Sequence, residues 1–423
     1  MRVCMVAYSF YESDNRVMRY AEALAARGDE VDVICLGTNE QPRTGVLNGV
    51  RVFRIQCRSR DEKTKFSYLR RILRFFAKSV AVVTAKHLRK PYRVVHVHSM
   101  PDFLVFVGLG ARIFGAKLIL DIHDLLPEFY GAKFRVSSAA VISRLLRLEE
   151  RASAAFADHV IAPNHLWREK LISRSVPASK CSIIMNYPDP AVFYRRGQTR
   201  ECQKFVMIYP GSLNWHQGVD IAIRAFAKIS CQFPAAEFRI FGEGPTEDDL
   251  KRLVSELEME GRVVFRRPLP LWEIVAEIEN SDLVVVPKRK DSFGDEAFST
   301  KVFECMAMGV PVIVSDTKVD RFYFNDQVVT FFKGGNVEHL ATCMIRLIQD
   351  REARLRQAKR AKEFMRNFDW GTKQKEYLSL VDGLVGKKDI IGPGDPYHSQ
   401  VFVTAAGSLI PDARTTPSRD EQI

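Results

Sequence analysis

Glycine is absent from Ala7 to Asn15, where the first strand gives way to the first helix. Dinucleotide-binding folds place G-x-G-x-x-G there so that the backbone can approach a pyrophosphate. The later Gly242-Glu-Gly244 runs into Pro245 and has no third glycine, so a dinucleotide-dependent oxidoreductase is set aside. The eight cysteines (Cys4, Cys35, Cys57, Cys181, Cys202, Cys231, Cys305, Cys343) include no C-x-x-C pair, and no histidines stand at zinc-finger spacing. A disulfide framework and a structural zinc are therefore not expected, and the thiols fit a reducing compartment. No D-x-D stands convincingly at a strand end, and Asp248-Asp249 fall in an early helical turn where acids are expected anyway. No essential metal and no cofactor are predicted.

Long apolar runs are also missing. The best candidate for a membrane span, Phe103 to Leu120, is broken by Arg112 and Lys117, whereas a span needs ~20 mostly apolar residues. The run Met1 to Tyr8 lacks a signal peptide's apolar core and cleavage site. Acid is scarce between Arg58 and Arg93, where twelve basic residues face only Asp61 and Glu62. That excess of ten, in a chain of net charge +12, makes a patch rather than a uniformly basic surface. The expectation is a cytoplasmic protein, at most peripheral on the inner face of a membrane.

What is present is a double βα series. The 423 residues, 46% hydrophobic and 27% charged, suit two globular domains and a tail. Strands are predicted over Arg2–Ala7, Glu30–Cys35, Val50–Ile55, Val94–His98, Lys117–Asp121 and His159–Ala162. Helices are predicted over Asn15–Arg27, Pro101–Phe114 and Val136–Phe156. A connection through Asn186–Gln203 leads to a second series: strands at Phe205–Tyr209, Glu237–Phe241, Val263–Phe265, Leu283–Val286 and Pro311–Val314. Helices follow the loops Pro210–Gln217 and Pro287–Ser299, and others run from Val337 to about Leu384. The fold class is α/β, two doubly wound domains over 1–190 and 204–367, whose ligands would bind beyond the carboxyl ends of strands. The tail, 387–423, is rich in Gly, Pro, Ser and Thr, without sustained period, and is expected to be disordered.

The sharpest motif is Glu296-Ala-Phe-Ser-Thr-Lys-Val-Phe-Glu304. Two carboxylates stand eight apart, the first in a loop and the second inside the helix that starts near Ser299 or Thr300. A helix N-terminus presents free N–H groups and positive dipole to an anion. A diphosphate there would leave Glu304 to accept from ribose hydroxyls, with Lys301 in the first turn as a counter-charge and Glu296 toward a transferred sugar. From spacing alone, an ordinary solvated helix with an i,i+3 Lys–Glu pair is an equal reading.

This segment resembles the E-x7-E region of glycosyltransferase family 4, in the variant with a lysine three residues before the second glutamate. Other segments are similar to that family in the same order over about residues 1–385. They are Asp14-Asn-Arg-Val with Gly28-Asp-Glu-Val-Asp-Val-Ile, Asp121-Ile-His-Asp-Leu-Leu-Pro-Glu128, Phe241-Gly-Glu-Gly-Pro245 and Phe368-Asp-Trp370. The resemblance implies a GT-B fold, two Rossmann-like domains facing across a cleft, with 369–386 crossing back onto the first. It implies a retaining, metal-independent hexosyl transfer from a nucleotide-diphosphate sugar to a glycan or polyprenyl-linked acceptor. His123, Glu296 and Lys301 would be catalytic, and Asp14, Arg16 and Asp124 acceptor-side. Donor binding would fall to Gly211, Ser212, Gln217, Gly242, Gly244, Arg266, Lys288 and Glu304. One departure matters. Many members carry Arg and Lys in the loop after the second domain's first strand, but here Ser212 and Gln217 stand in those places. The leaving diphosphate still needs stabilisation, and Lys301 and Lys288 are the favoured candidates.

Two other readings stay open: a nucleotide-sugar 2-epimerase of the same fold, and a non-catalytic donor-binding partner of another transferase. In the basic stretch, apolar residues at Phe66, Leu69, Ile72, Leu73, Phe76, Val80 and Val83 predict a core-facing helical stripe. Arg70, Arg71, Arg74 and Lys78 fall opposite. That basic face is either simply solvated or rests on anionic lipid. Nucleic acid is not expected, since no recognition fold accompanies the charge.

Overall fold

The computed structural model describes residues 1–57, 65–133, 139–197 and 204–386. The first sheet is built from β1 (Arg2–Phe10), β2 (Glu30–Gly37), β3 (Thr44–Leu47), β4 (Val50–Cys57), β5 (Val94–His98), β6 (Lys117–Asp121), β7 (His159–Ala162) and β8 (Cys181–Ile183). Their spatial order is β3-β4-β2-β1-β5-β6-β7-β8. The second sheet holds β9 (Phe205–Pro210), β10 (Ala236–Phe241), β11 (Val263–Arg266), β12 (Leu283–Val286), β13 (Val312–Ser315) and β14 (Thr330–Phe332), in the order β11-β10-β9-β12-β13-β14. Every pairing is parallel except the β3–β4 hairpin. Helices cover both faces of a parallel sheet, so its strands read as continuous apolar runs. Leu283–Val286 and Val312–Ser315 are buried along their whole length.

Strand order reverses between β1 and β5 in the first sheet and between β9 and β12 in the second. Crevices outside the carboxyl ends of strands at such points are where open α/β sheets take ligands. The loop after β1, the end of β5 and the loop after β9 therefore set the position of the site.

The C-terminal helix Trp370–Leu384 is capped by Asp369, whose side chain accepts from the Thr372 N–H at 2.8 Å. It packs on the first domain's helix Asn15–Ala26, where Tyr377 lies 4.2 Å from Tyr20 between ring centroids. The Tyr377 hydroxyl meets His96 Nδ1 at 3.0 Å, and Arg27 pairs with Asp382 at 2.8 Å.

Several local expectations need correction. The segment predicted as one helix, Pro101–Phe114, is a 3-10 turn series over Asp102–Gly108 followed by a short helix, Leu109–Ile113. It is wedged between neighbours: a Cβ on Gly108 would meet Leu118 at 2.4 Å, and one on Gly110 would meet Thr84 at 2.5 Å. The hairpin β3–β4 was not anticipated. Its turn is Asn48-Gly49, both at positive φ, a two-residue signal present in the sequence. The long helix observed is Ala139–Phe156; its predicted start at Val136 lies outside the described residues, as do the tail and part of the Asn186–Gln203 connection. Helices His165–Arg174 and Leu271–Glu279 and the short strand β14 were also missed.

The apolar stripe of helix Lys65–Arg89 is displaced from its predicted position. Ile72, Phe75, Ser79, Val83 and His87 are buried, while Leu69 and Leu73 are each about half exposed, at 49% and 50%. Within the basic stretch, Lys86 lies 3.7 Å from Asp32, Lys90 pairs with Glu30, and Lys78 donates to the Ile55 carbonyl at 3.1 Å. Arg70, Arg74 and Arg89 face solvent; residues 58–64 lie outside the described ones. Among the described residues, no helix is long and apolar enough to cross a membrane.

Candidate active site

A cavity of about 350 Å³ opens between the two sheets. The first domain contributes the β1 end and following turn (Tyr8, Ser9, Phe10, Ser13), the helix start Asp14-Asn15-Arg16 with Arg19, and His123. Asn186 lines it from the connection, and Thr300 and Glu304 from the second domain. Thus Asp14, Arg16, His123 and Glu304, picked from the sequence, meet at one place.

Beneath His123 the charges are locked. Asp121, at the end of β6, is fully buried and takes Arg16 in a two-point pair, Nε to Oδ2 at 2.7 Å and Nη2 to Oδ1 at 2.6 Å. The same Oδ2 meets His98 Nδ1 at 3.0 Å and His123 Nε2 at 3.1 Å. A carboxylate can only accept, so both of these ring nitrogens carry the hydrogen, which leaves His123 Nδ1 as the acceptor in the neutral ring. Burial alone would push the Asp121 carboxyl up, but Arg16 and His123 hold it well below the usual carboxylate range. Burial also pushes the pKa of His98 down. Arg16 has a further contact, Nη1 to Asn186 Oδ1 at 3.0 Å.

Asp14 caps helix Asn15–Ala26 by accepting from the Val17 N–H at 3.2 Å, and also accepts from Ser9 Oγ at 2.8 Å. Burial opposes its ionisation, yet His123 and His98 lower its pKa. Asp124 is half-buried, and desolvation pushes it up to about 6 against the pull of His123. His96, His98 and Asp121 have potential ligand atoms within 4.8 Å of one another. The Arg16 guanidinium already covers the carboxylate and would repel a cation there.

In the second domain the site is made by close backbone approach. A Cβ on Gly242 would stand 1.9 Å from the Gly211 carbonyl oxygen, and one on Gly244 would stand 2.4 Å from that of Leu213. A Cβ on Gly211 would meet Lys301 Cε at 2.0 Å, so the lysine lies flat along that glycine. Lys301 Nζ donates to Gln217 Oε1 at 3.3 Å, and the Tyr209 hydroxyl, which donates to the Ser212 carbonyl at 2.8 Å, stands 3.2 Å from the same Gln217 oxygen. Burial pushes Lys301 down to about 8, with Glu304 opposing. Glu304 is pushed up by burial, against Arg19 and Lys301. Ser299, at the start of helix Thr300–Ala307, makes no capping bond and its Oγ is buried without a partner among the described residues. Ser212 is exposed and accepts from Asn214 Nδ2 at 3.1 Å. Arg266, at the end of β11, is exposed.

Two of the expected residues lie away from the cavity. Lys288 is 2% exposed, with its ammonium 3.0 Å from Asp320 and 2.8 Å from the Ala297 carbonyl. A buried cation must be paired, and this one is, so it does not face a diphosphate. Glu296 is not among the residues lining the cavity: its carboxylate is held by Lys170 of the first domain and by Lys318 at 3.2 Å. It therefore sits at a seam between the domains, its charge matched by two lysines.

Sequence reading also missed Arg19, Asn186 and Thr300 as lining residues. Arg19 stands three residues after Arg16, hence on the same helix face, which was a usable signal. Asn186 comes from the connection, and nothing in its neighbours announces it.

The fold and site define a GT-B architecture, and comparison with known proteins agrees. A model described as "Glycosyl transferase 4-like domain" matches residues 13–186, and one for "Glycosyl transferases group 1" matches 193–364. The chain is 27% identical over 200 residues to the D-inositol 3-phosphate glycosyltransferase of Corynebacterium glutamicum, 46% of each chain. It is 24% identical to the sulfoquinovosyl transferase SQD2 of Arabidopsis thaliana, over 93% of this chain and 76% of that one. It is 26% identical to the amylovoran biosynthesis glycosyltransferase AmsK of Erwinia amylovora, over 53% and 57%. The matched regions thus span about half the length of some curated relatives and three quarters of another's. Among solved structures, sucrose-phosphate synthase from Thermosynechococcus elongatus superposes with TM-score 0.75 at 19% identity, over 92% of this chain and all of that one. HepE of Anabaena, in complex with UDP-glucose, gives 0.68 at 16%, over 90% and 100%. The chain belongs to glycosyltransferase family 4.

Proposed function

We propose that the protein transfers a hexosyl unit from a nucleoside-diphosphate sugar to a glycan or lipid-linked acceptor, with retention and without a metal, in cell-surface polysaccharide assembly. The observation that carries the reading is the single cavity in which Glu304 and Thr300 of the second domain face Asp14, Arg16 and His123 of the first. Glu304 accepts from the ribose. The diphosphate lies against the loop at Gly211 and the start of helix Thr300–Ala307, whose free N–H groups favour an anion. When the anomeric C–O bond breaks, its electron pair stays on the diphosphate oxygen. Lys301 and those N–H groups stabilise that charge. The acceptor hydroxyl oxygen forms the new bond on the same face and passes its proton to the departing diphosphate oxygen. His123, held by Asp121, sits by the reacting sugar. Glu296 reaches the donor sugar only if Lys170 gives way as the domains adjust.

HepE was solved with UDP-glucose and AmsK is named for amylovoran biosynthesis, which supports both the donor class and the setting. The basic stretch Arg58–Arg93 lies in the acceptor-side domain and suits an anionic membrane surface bearing a lipid-linked acceptor. The test is a thermal-shift screen of uridine, guanosine and thymidine diphosphates and their sugars, followed by NMR of the product's anomeric configuration. A nucleotide present at 100 times its Kd stabilises by about 2.7 kcal/mol, a shift of several degrees. If no nucleotide shifts the melting temperature, the reading fails. Epimerised donor in the absence of acceptor would replace it with the 2-epimerase.

A further inference from the structure

Fifteen large apolar side chains are exposed among the described residues, and ten of them lie on three spatially neighbouring elements of the first domain. Helix Ala139–Phe156 is the clearest case. Val141, Ile142, Leu145 and Leu148 are 43–63% exposed. At 100° per residue, Val141, Leu145 and Leu148 form one narrow stripe, and Arg144, Arg147 and Arg151, all exposed, run along one side of it. The helix's two acids are turned away: Glu150 is fully buried against Arg174, and Glu149 is half-buried near Ser153.

The neighbouring elements continue the pattern. Segment 102–114 runs between this helix and helix Lys65–Arg89, with Phe106 packed on Phe156 at 4.8 Å and Phe103 on Phe76 at 5.8 Å between ring centroids. It leaves Leu109, Ile113 and Phe114 exposed, at 49–70%. Helix Lys65–Arg89 contains no acid at all. Its outer side carries Leu73 and Leu88 with Arg70 and Arg74. All three elements pack on the same face of the first sheet, through Ile72, Phe75 and Val83, through Leu104 and Val107, and through Ala154 and Phe156, so their outer sides turn the same way.

Exposed apolar side chains grouped on neighbouring elements mark an interaction site, and the charge around them decides the partner. A second copy docked about a two-fold axis would set these arginines against themselves. No exposed acid on helix Ala139–Phe156 or helix Lys65–Arg89 offsets them among the described residues. Apolar side chains flanked by arginines, on helices lying flat, are the composition of a membrane-interface surface.

We propose that this surface seats on an anionic phospholipid bilayer, the stripe of helix Ala139–Phe156 entering the acyl boundary while the arginines meet lipid phosphates. The inference rests on the proposed function only in taking the acceptor to be membrane-borne. It moves the contact from the basic stretch alone to a second helix, read from sequence merely as a long one. Through Glu150 and Arg174 that helix is tied to Glu128, in the helix that follows the His123-Asp124 loop. The bilayer is thereby brought to the acceptor side of the cavity.

The test is co-sedimentation of the full chain with phosphatidylcholine vesicles, with and without phosphatidylglycerol, for the wild type and three variants. Binding to the acidic vesicles only is expected. Leu145→Asp/Leu148→Asp should weaken it roughly tenfold or more, since two buried apolar side chains are lost, with an unchanged melting temperature because both sites are exposed. Arg144→Ala/Arg147→Ala/Arg151→Ala should weaken it and flatten its salt dependence. If Arg70→Ala/Arg74→Ala abolishes binding while the leucine variant binds normally, the basic stretch alone is the contact and the present inference is overturned. It also fails if the wild type ignores acidic vesicles, or if it sediments as a dimer that the leucine variant converts to monomer.

Discussion

In the first domain, the polar side chains at the carboxyl ends of the strands are bonded to one another: Asp121 takes Arg16, His98 and His123 at once, and Arg16 also reaches Asn186. In the second, the loops after β9 and β10 carry one formal charge, Glu243, and their geometry comes from glycines whose missing Cβ atoms let backbones and Lys301 lie in contact. The first half is thus a rigid polar scaffold that holds His123 in one orientation. The second is a tight backbone cradle with Lys301 laid along it. A site that must hold a histidine fixed and also admit an anion needs both devices, because a locked ion-pair network has no free donor for a ligand, and a glycine loop cannot orient a ring.

The comparison can be broken most forcefully at Asp121. Asp121→Ala leaves Arg16 buried without its partner and should cost about 3–5 kcal/mol in urea unfolding. A loss under 1 kcal/mol would mean the network is not the scaffold described. On the other side, Gly242→Ala forces a Cβ against the Gly211 carbonyl. It should cost about 1–3 kcal/mol and weaken nucleoside-diphosphate binding by calorimetry about tenfold or more, whereas Gly261→Ala, which meets no neighbour, should leave binding intact. Glu304→Gln exchanges a charged acceptor for a neutral one. It should cost about 1–2 kcal/mol of nucleoside-diphosphate affinity while leaving inorganic pyrophosphate binding unchanged; equal losses would put Glu304 on the phosphates. The lysine can be read by pH. Because Lys301 is held down to about 8 and its ammonium is the anion-binding form, affinity for the nucleotide should be flat below that pH and fall above it. The fall should approach tenfold per pH unit and vanish in Lys301→Met. The smallest effect is expected for Lys170→Ala, a partly exposed pair worth about 0–1 kcal/mol. A larger change in unfolding would make the Glu296 seam a structural tie rather than a contact that yields.

Much of this was legible in the chain. Strands buried on both faces announce themselves as short Val- and Ile-rich runs, so β5, β6, β9, β12 and β13 were placed within a residue of their ends, while β1 runs three residues past its predicted end. The hairpin at Asn48-Gly49 was written in the sequence and overlooked. Leu69 and Leu73 were read as core because periodicity identifies an apolar stripe but not its absolute orientation. The buried side is centred instead on Phe75, Ser79 and Val83. Within the site, Glu304 and Lys301 were singled out from the spacing of their motif, and His123 and the glycines from the resemblance to glycosyltransferase family 4, whereas the partners of Lys288 and Glu296 were not foreseen.

The sequence by itself determined the double βα rhythm, the loops that leave the strands at their carboxyl ends, and the residue types on those loops. All of these are local, set by neighbours a few positions apart. Only the tertiary structure decided which charges are free to meet a ligand. Lys288 finds Asp320, Lys170 finds Glu296 and Arg16 finds Asp121 across 32, 126 and 105 residues. Whether a cation faces a cavity or a carboxylate depends on how distant strands are set side by side, a property that no window of the chain contains.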